Sequence, residues 1–257
     1  MPQLDIHVEK DDFTAARSAA LAISQRITSY GALPILFLVS GGSPLEILTH
    51  LSADGFNGRV TVGVSDERYS IDPAVNNFAQ MVDTSWYKRI VVAGVRSIDT
   101  RPVAGETVEG AGRRFDTALK EWKQENPTGK VIITQGIGLD GHTAGMMPYP
   151  EDERMFGFLF DNPDVWAVGY DAKGKNKYPL RVTTTLPFLR MVDDSILYVC
   201  GEEKKKALVY ALEAPGSFTP DRKDSEHLGA LVAVPARIIH DMPHCLLYTD
   251  LTVDTLK

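Results

Sequence analysis

The chain has 257 residues, 44% of them hydrophobic and 24% charged, which is long enough to bury a large core without disulfides or structural metal. Its net charge of −7 speaks against a general nucleic-acid binder, so an anionic small substrate would need a local cluster of basic groups. Cys200 and Cys245 make no disulfide framework and no C-x-x-C pair, and the longest apolar run, near Leu33–Val39, is too short to span a bilayer. The opening MPQLDIHVEKDD has no basic stretch followed by an apolar one. These features lead us to expect a soluble protein of a reducing, cytoplasmic compartment, with no membrane partner.

Taken in chain order, Leu4–Val8 reads as a strand. Ala16, Ala20, Ile23, Ile27 and Tyr30 recur at spacings of four and three, which predicts an amphipathic helix over Asp11–Tyr30, stopped by Gly31. Ile35–Val39 is a short apolar run between turn signals, hence a buried strand. Helix Pro44–Leu51, strand Val60–Val64, a helical stretch Asn77–Tyr87 and a weak strand Val91–Val92 follow. Glu106–Gln124 is a long helix, Val131–Thr134 a strand, and Val165–Gly169 and Arg181–Thr184 are extended. Ser195–Cys200 is a strand before helix Glu202–Leu212, Leu228–Ala233 a short helix, and Cys245–Thr249 the last strand. Ala214–Glu226 reads as the longest loop. Strands alternate with helices almost throughout, without repeats or a Pro/Gly/Ser-rich linker. This predicts one α/β domain over residues 1–257, a mostly parallel, Rossmann-like sheet flanked by helices.

In such sheets, ligands collect beyond the carboxyl ends of the strands. Four loops stand there: SGGSP after Ile35–Val39, SDERYS after Val60–Val64, GIGLDGHT after Val131–Thr134, and GEEKKK after Ser195–Cys200. The third fits G-x-G-x-x-G through Gly136, Gly138 and Gly141. A dinucleotide loop also needs a sustained helix behind it, and Pro148 and Pro150 would break one within two turns. A nicotinamide cofactor is therefore not expected. His142 is the alternative centre of that loop, because imidazole titrates near working pH and serves as a general base. Asp140, two residues earlier, either orients the ring or contacts substrate.

For the SGGSP loop two readings stand level. Gly41, Gly42 and Ser43 could cradle an anion at a helix start, or Ser43 with Glu46 could form a capping box with Pro44 at the first helical position. Of the basic residues, Arg181 best suits a phosphate through its planar fork, with Lys204 second; Lys173, Lys175, Lys177, Lys205 and Lys206 read mainly as solvated. Asp66 and Arg68 bring a carboxylate and a cation to the same crevice, and Asn76-Asn77 reads as a helix cap or a ligand contact, with the cap favoured for Asn77. His227, His240 and His244 read as surface or core residues. No G-x-S-x-G elbow marks a nucleophilic serine.

Five segments in order, SGGSP, SDER, GIGLDGHTAGMMP, RVTTTLP and GEEKKKAL, resemble the signature loops of 6-phosphogluconolactonases, relatives of the glucosamine-6-phosphate deaminases. The resemblance runs from about Ile35 to Leu212 and is most specific at Gly136–Ala144 with Pro148. It implies the sugar-phosphate isomerase/deaminase fold and hydrolysis of 6-phosphogluconolactone, a phosphorylated sugar lactone, without metal or redox cofactor. It also implies His142 as general base with Asp140 beside it, and Gly41, Gly42, Ser43, Asp66, Arg68, Arg181 and Lys204 around the substrate. Deaminases resemble D-G-H-[IT]-A-F-N-E-P, whereas Met146 and Met147 stand here in place of Asn-Glu, and Arg68 stands where deaminases tend to have Tyr. Two departures from the lactonase pattern remain: the Thr of S-G-G-S-T-P is missing, and Tyr69-Ser70-Ile71 replaces the usual Val-Pro, which bears on substrate fit. The competing readings are a deaminase or isomerase of amino-sugar phosphates and a non-catalytic sugar-phosphate sensor. The sequence leaves the oligomeric state open.

Overall fold

The computed structural model describes residues 3–213 and 225–252. Ten strands and nine α-helices are found among them: β1 (Gln3–Val8), α1 (Asp12–Ser29), β2 (Ile35–Val39), α2 (Ile47–His50), β3 (Val60–Val64), β4 (Asp66–Arg68), α3 (Asn77–Asp83), α4 (Ser85–Val92), β5 (Arg96–Ser97), α5 (Val108–Glu125), β6 (Lys130–Gln135), α6 (Glu153–Phe160), β7 (Ala167–Asp171), β8 (Leu180–Thr184), α7 (Leu186–Arg190), β9 (Asp194–Tyr198), α8 (Lys205–Leu212), α9 (Ser225–Ala233) and β10 (His244–Thr249). Seven strands form one all-parallel sheet in the order β1-β10-β9-β6-β2-β3-β5, and β4-β8-β7 form a small antiparallel sheet.

The apolar runs explain the layers. Every residue of β2 is buried, because alternate side chains enter two different cores. Ile35, Phe37 and Val39 join α1, α2, α3 and α4 on one face, through Ile23, Ile47, Phe78, Trp86 and Ile90. Leu36 and Leu38 join α5 to α9 on the other, through Phe115, Phe156, Leu189, Leu208 and Leu231. The alanines of α1 (Ala15, Ala16, Ala19, Ala20) are buried and let this helix lie close to the sheet. Asp11 caps it by accepting from Thr14 N at 2.7 Å, and Gly31 ends it at φ +56°.

Several predicted elements change. The stretch Asn77–Tyr87 is two helices, split where Thr84 ends α3 and caps α4 by accepting from Tyr87 N. Val91 and Val92 are not a strand but the last turn of α4, carried there by Trp86 and Ile90, which are buried one helical turn apart. The strand in that place is the short β5. Pro44–Leu51 opens as a 3-10 turn, Ser43–Glu46, before α2, and Glu202–Leu212 likewise opens with Glu202–Lys204 before α8. β4, α6, α7 and a 3-10 segment at Pro235–His240 were not expected from sequence. Most of the predicted Ala214–Glu226 loop lies outside the described residues, while Ser225 and Glu226 begin α9. Among the described residues, no helix is long and apolar enough to cross a membrane.

Candidate active site

Four neighbouring strands of the parallel sheet, β9, β6, β2 and β3, send their carboxyl-end loops to one place. There the small sheet adds Asp66 and Arg68 from β4 and Arg181 from β8, directly cross-strand from Arg68. Together they bound a cavity of about 290 Å³ whose lining includes Gly41, Gly42, Ser43, Asp66, Arg68, Asn77, His142, Arg181 and Lys204. A larger hollow of about 780 Å³ lies elsewhere, between α5, α6 and β7, lined by Met155, Phe158 and Leu159 among others and carrying no histidine. The chemistry-bearing groups converge on the smaller one.

The loop after β6 is a chain of local bonds. Gly138 N donates to His142 O at 2.9 Å, Gly141 N to Gly138 O at 2.9 Å, and Thr143 Oγ1 to Gly136 O at 2.9 Å. Gln135, buried at the end of β6, donates to Thr143 Oγ1 and accepts from Ser195 Oγ at 2.8 Å. Gly145 N donates to Thr183 Oγ1 at 2.9 Å, and Tyr170 Oη donates to Gly145 O at 2.7 Å, so the small sheet pins the far side of the loop. Gly138 leaves room for the imidazole: a Cβ there would stand 2.1 Å from the His142 ring and force it to move. No helix follows until α6, and Thr143 and Met146 form an isolated bridge instead, so the helix N-terminus that a dinucleotide pyrophosphate needs is missing here.

His142 Nδ1 lies 2.5 Å from Asp140 Oδ1, and the same oxygen accepts from His142 N at 3.1 Å. Burial of Asp140 works to raise its carboxyl, but the hydrogen bond and charge of His142 outweigh that and hold it below the ordinary value. A carboxylate on Nδ1 assigns the proton to that nitrogen and leaves Nε2 as the basic atom. Asp140 is 43% exposed and His142 24%, so the pair sits at the rim rather than in the core.

Asp66 is buried and ion-paired to the buried Arg181. The Arg181 charge is thus largely answered inside the protein, although its Nε has no hydrogen-bond partner among the described residues. Arg68 differs: among the described residues it has no carboxylate partner, its Nε is buried without a hydrogen bond, and its guanidinium lies over the Tyr178 ring, 5.0 Å from the centroid. Its far end borders the backbone at Gly42, where a Cβ would lie 3.9 Å from Nη2. Lys204 Nζ donates to Ser43 Oγ at 2.8 Å, and burial presses its amine below the ordinary value. The capping box is not formed. Ser43 is spent on Lys204, and Glu46 instead accepts from Thr49 Oγ1 at 3.1 Å.

Asn77 also departs from its expected role. Asn76 is the cap, accepting from Ala79 N at 2.8 Å, while Asn77 is the first residue of α3. The Asn77 side chain donates to Asp66 O at 2.9 Å, and its buried Oδ1 has no partner among the described residues. Gly41 makes room for it, since a Cβ there would fall 2.3 Å from Asn77 Cγ. The doublet Asn76-Asn77 is thus split between its two possible roles, Asn76 capping and Asn77 lining the cavity. Asn176, in the loop before β8, also lines the cavity and was not anticipated. Tyr69, Ser70 and Ile71 do not line it: Tyr69 Oη donates to Glu106 O and Ile71 is 92% exposed. Lys175 pairs with Glu151 and Lys205 with Glu202. His227 meets Asp241, His240 meets Ala211 O and His244 meets Asp193 O, all outside the cavity.

The molecule is an α/β protein with basic and imidazole groups on the loops at the carboxyl edge of its parallel sheet. Residues 10–242 match the family model described as glucosamine-6-phosphate isomerases/6-phosphogluconolactonase, and the chain belongs to that family. A curated relative, the 6-phosphogluconolactonase of Nostoc sp. (strain PCC 7120 / SAG 25.82 / UTEX 2576), is 24% identical over 217 residues, covering 82% of this chain and 80% of the relative. Among solved structures, 6-phosphogluconolactonase from Plasmodium vivax superposes with a TM-score of 0.73 at 15% identity, covering 99% of this chain and 93% of the other. The Trypanosoma brucei 6-phosphogluconolactonase does so with a TM-score of 0.70 at 16% identity, covering 97% of each chain. At these identities the structures establish the shared fold.

Proposed function

We propose that the chain hydrolyses 6-phosphogluconolactone to 6-phosphogluconate, with His142 as general base. The single observation that carries this reading is the His142–Asp140 pair on the rim of a cavity that also holds Arg68 and the Lys204–Ser43 pair. The names of the relatives point to the same substrate. In the reaction, a water oxygen bonds to the lactone carbonyl carbon as His142 Nε2 takes its proton. The carbonyl oxygen becomes an oxyanion, which backbone N–H groups of the glycine-rich loops would stabilise. The tetrahedral centre then collapses, the bond to the ring oxygen breaks, and the imidazolium returns the proton to that oxygen. The products are a free hydroxyl and a carboxylic acid, which ionises. Arg68 and Lys204, with the Gly41–Ser43 backbone between them, would take the phosphate. Arg181, matched to Asp66, would shape that wall and offer Nε rather than a free charge.

The isomerase or deaminase reading finds less support. Where such a chain has Asn-Glu, Met146 and Met147 are fully buried in the core, so no carboxylate from those positions reaches the cavity.

The test is hydrolysis of freshly generated 6-phosphogluconolactone by the wild type and by His142→Ala, with the spontaneous rate subtracted. We expect acceleration by the wild type and at least about a hundredfold less by the folded variant. A wild type that adds nothing to the spontaneous rate overturns the lactonase reading. Equal rates for the two proteins remove His142 as the base.

A further inference from the structure

We propose that Tyr178 is a positioning residue that holds Arg68 toward Gly42 and so makes the site select a phosphorylated over an unphosphorylated sugar lactone. This rests on the lactonase reading of the site for its substrate, but not for its geometry. Arg68 and Arg181 sit directly opposite each other in the antiparallel pair β4–β8, an arrangement in which like charges repel. Arg181 escapes by pairing with Asp66. Arg68 has no such counter-charge among the described residues, and its Nε is buried without a hydrogen bond. What faces its guanidinium is the π-face of Tyr178, 5.0 Å away at the centroid. An aromatic face attracts a cation through its quadrupole without neutralising it. Arg68 is therefore held in place while its charge remains available to a ligand, which a carboxylate partner would not allow.

The backbone that carries Tyr178 is itself fixed. Its N–H donates to Asn176 Oδ1 at 3.0 Å, and the loop is closed by Ala172 N donating to Pro179 O at 2.8 Å and Lys175 N to Ala172 O at 3.0 Å. Lys177 Nζ lies 5.2 Å from the same ring centroid, so the ring also offsets part of the repulsion between two neighbouring cations. The far end of Arg68 then borders the Gly42 backbone, on the side of the cavity where Ser43 and Lys204 meet. The ring does not line the cavity, so it reaches the site through Arg68, and its influence falls on the anionic end of the substrate and not on the carbonyl.

The experiment compares wild type, Tyr178→Leu and Tyr178→Phe, each checked for folding by thermal melting. Kinetics are measured on 6-phosphogluconolactone and on unphosphorylated glucono-1,5-lactone. Calorimetric titration uses 6-phosphogluconate and gluconate. Tyr178→Leu is expected to lower kcat/KM for the phosphorylated lactone about five- to tenfold, mainly through KM, and to weaken 6-phosphogluconate binding by a similar factor. Its kcat/KM for the unphosphorylated lactone should stay within about twofold, and Tyr178→Phe, which keeps the ring face, should match wild type. Equal losses on both lactones, an unchanged Leu variant, or a Phe variant as poor as Leu would each overturn the assignment. If the wild type hydrolyses neither lactone but binds 6-phosphogluconate in a Tyr178-dependent way, the lactonase reading fails and this inference stands. If it neither hydrolyses nor binds, both fall.

Discussion

His142 would be an ordinary surface imidazole without the residue two places before it. Asp140 converts it to a defined tautomer, and Gly138 leaves the space in which the ring lies. The spacing Asp-Gly-His was visible in the sequence, but it left open whether Asp140 orients the ring or contacts substrate, and the fold brings it to Nδ1. The division of labour among the cations was not. Arg181 is ion-paired to Asp66, whereas Arg68 has no carboxylate partner among the described residues and Lys204 meets Ser43. That outcome depends on which residues face each other across β4 and β8, a register that neither segment encodes alone. Glu67 is another case. It is fully buried and accepts from Asn77 N, Phe78 N and Thr100 Oγ1, which ties β4 to the start of α3. Burial pushes its carboxyl up to about 7, the three hydrogen bonds work against this, and neighbouring Asp66 adds to the rise. A folded-state value above that of the unfolded chain means that Glu67 favours the folded state most when protonated. This contribution is complete below about 4.5 and is lost as pH rises through about 7. The stability of wild type relative to Glu67→Gln, read by urea unfolding, should therefore fall across that window and level off above it. A difference that stays flat would show that the buried carboxyl does not titrate there.

At the level of elements, α5 and β7 meet backbone to backbone. A Cβ on Gly112 would lie 2.0 Å from Gly169 N, and one on Gly169 would lie 1.8 Å from Val108 O. This contact presses the small sheet, which carries Asp66, Arg68 and Arg181, against the rest of the molecule. Gly112→Ala would gain about 1 kcal/mol of helix propensity. The clash with backbone cannot be relieved by a side-chain rotation, and overpacking of this kind costs about 3 kcal/mol or more. A net loss of stability is expected in chemical denaturation; a neutral or stabilised variant would show that α5 can lift from β7 freely. The long apolar strands were legible because both faces of the parallel sheet are covered, which leaves runs such as ILFLV unbroken. β4 was not, since three charged residues in a row carry no apolar alternation, and they are strand only because β8 pairs with them. Val91 and Val92 misled for the opposite reason: β-branched residues suit strands, but the Trp86 and Ile90 stripe of α4 prevails.

Across the whole molecule, the groups that hold the layers together are separate from those at the cavity. Arg190 joins Asp161 at 2.6 Å, just after α6, and Asp241 at 3.1 Å, while Asp241 also meets His227 of α9 at 3.1 Å. Three helices and the approach to β10 thus share one network, with the Asp241 side chain wholly buried. Arg190→Ala removes the guanidinium and leaves that carboxylate short of its main counter-charge, at a cost of about 3 kcal/mol. Because none of these residues lines the cavity, kcat/KM for the lactone measured well below the melting temperature should be unchanged. A variant that loses activity while keeping its melting temperature would contradict this separation. What the sequence by itself determined was the alternation of strands and helices and the placing of Asp140 two residues before His142 on one glycine-rich loop, because each depends on spacings of a few residues. The tertiary structure alone decided that Arg181 has a carboxylate partner and Arg68 has none among the described residues, that Asn77 faces the cavity while Asn76 caps, and that Ser43 answers Lys204. Those outcomes turn on which side chains of distant segments come within hydrogen-bonding or ring-contact distance, and only the packing of β4 and β8 beside the parallel sheet sets those distances.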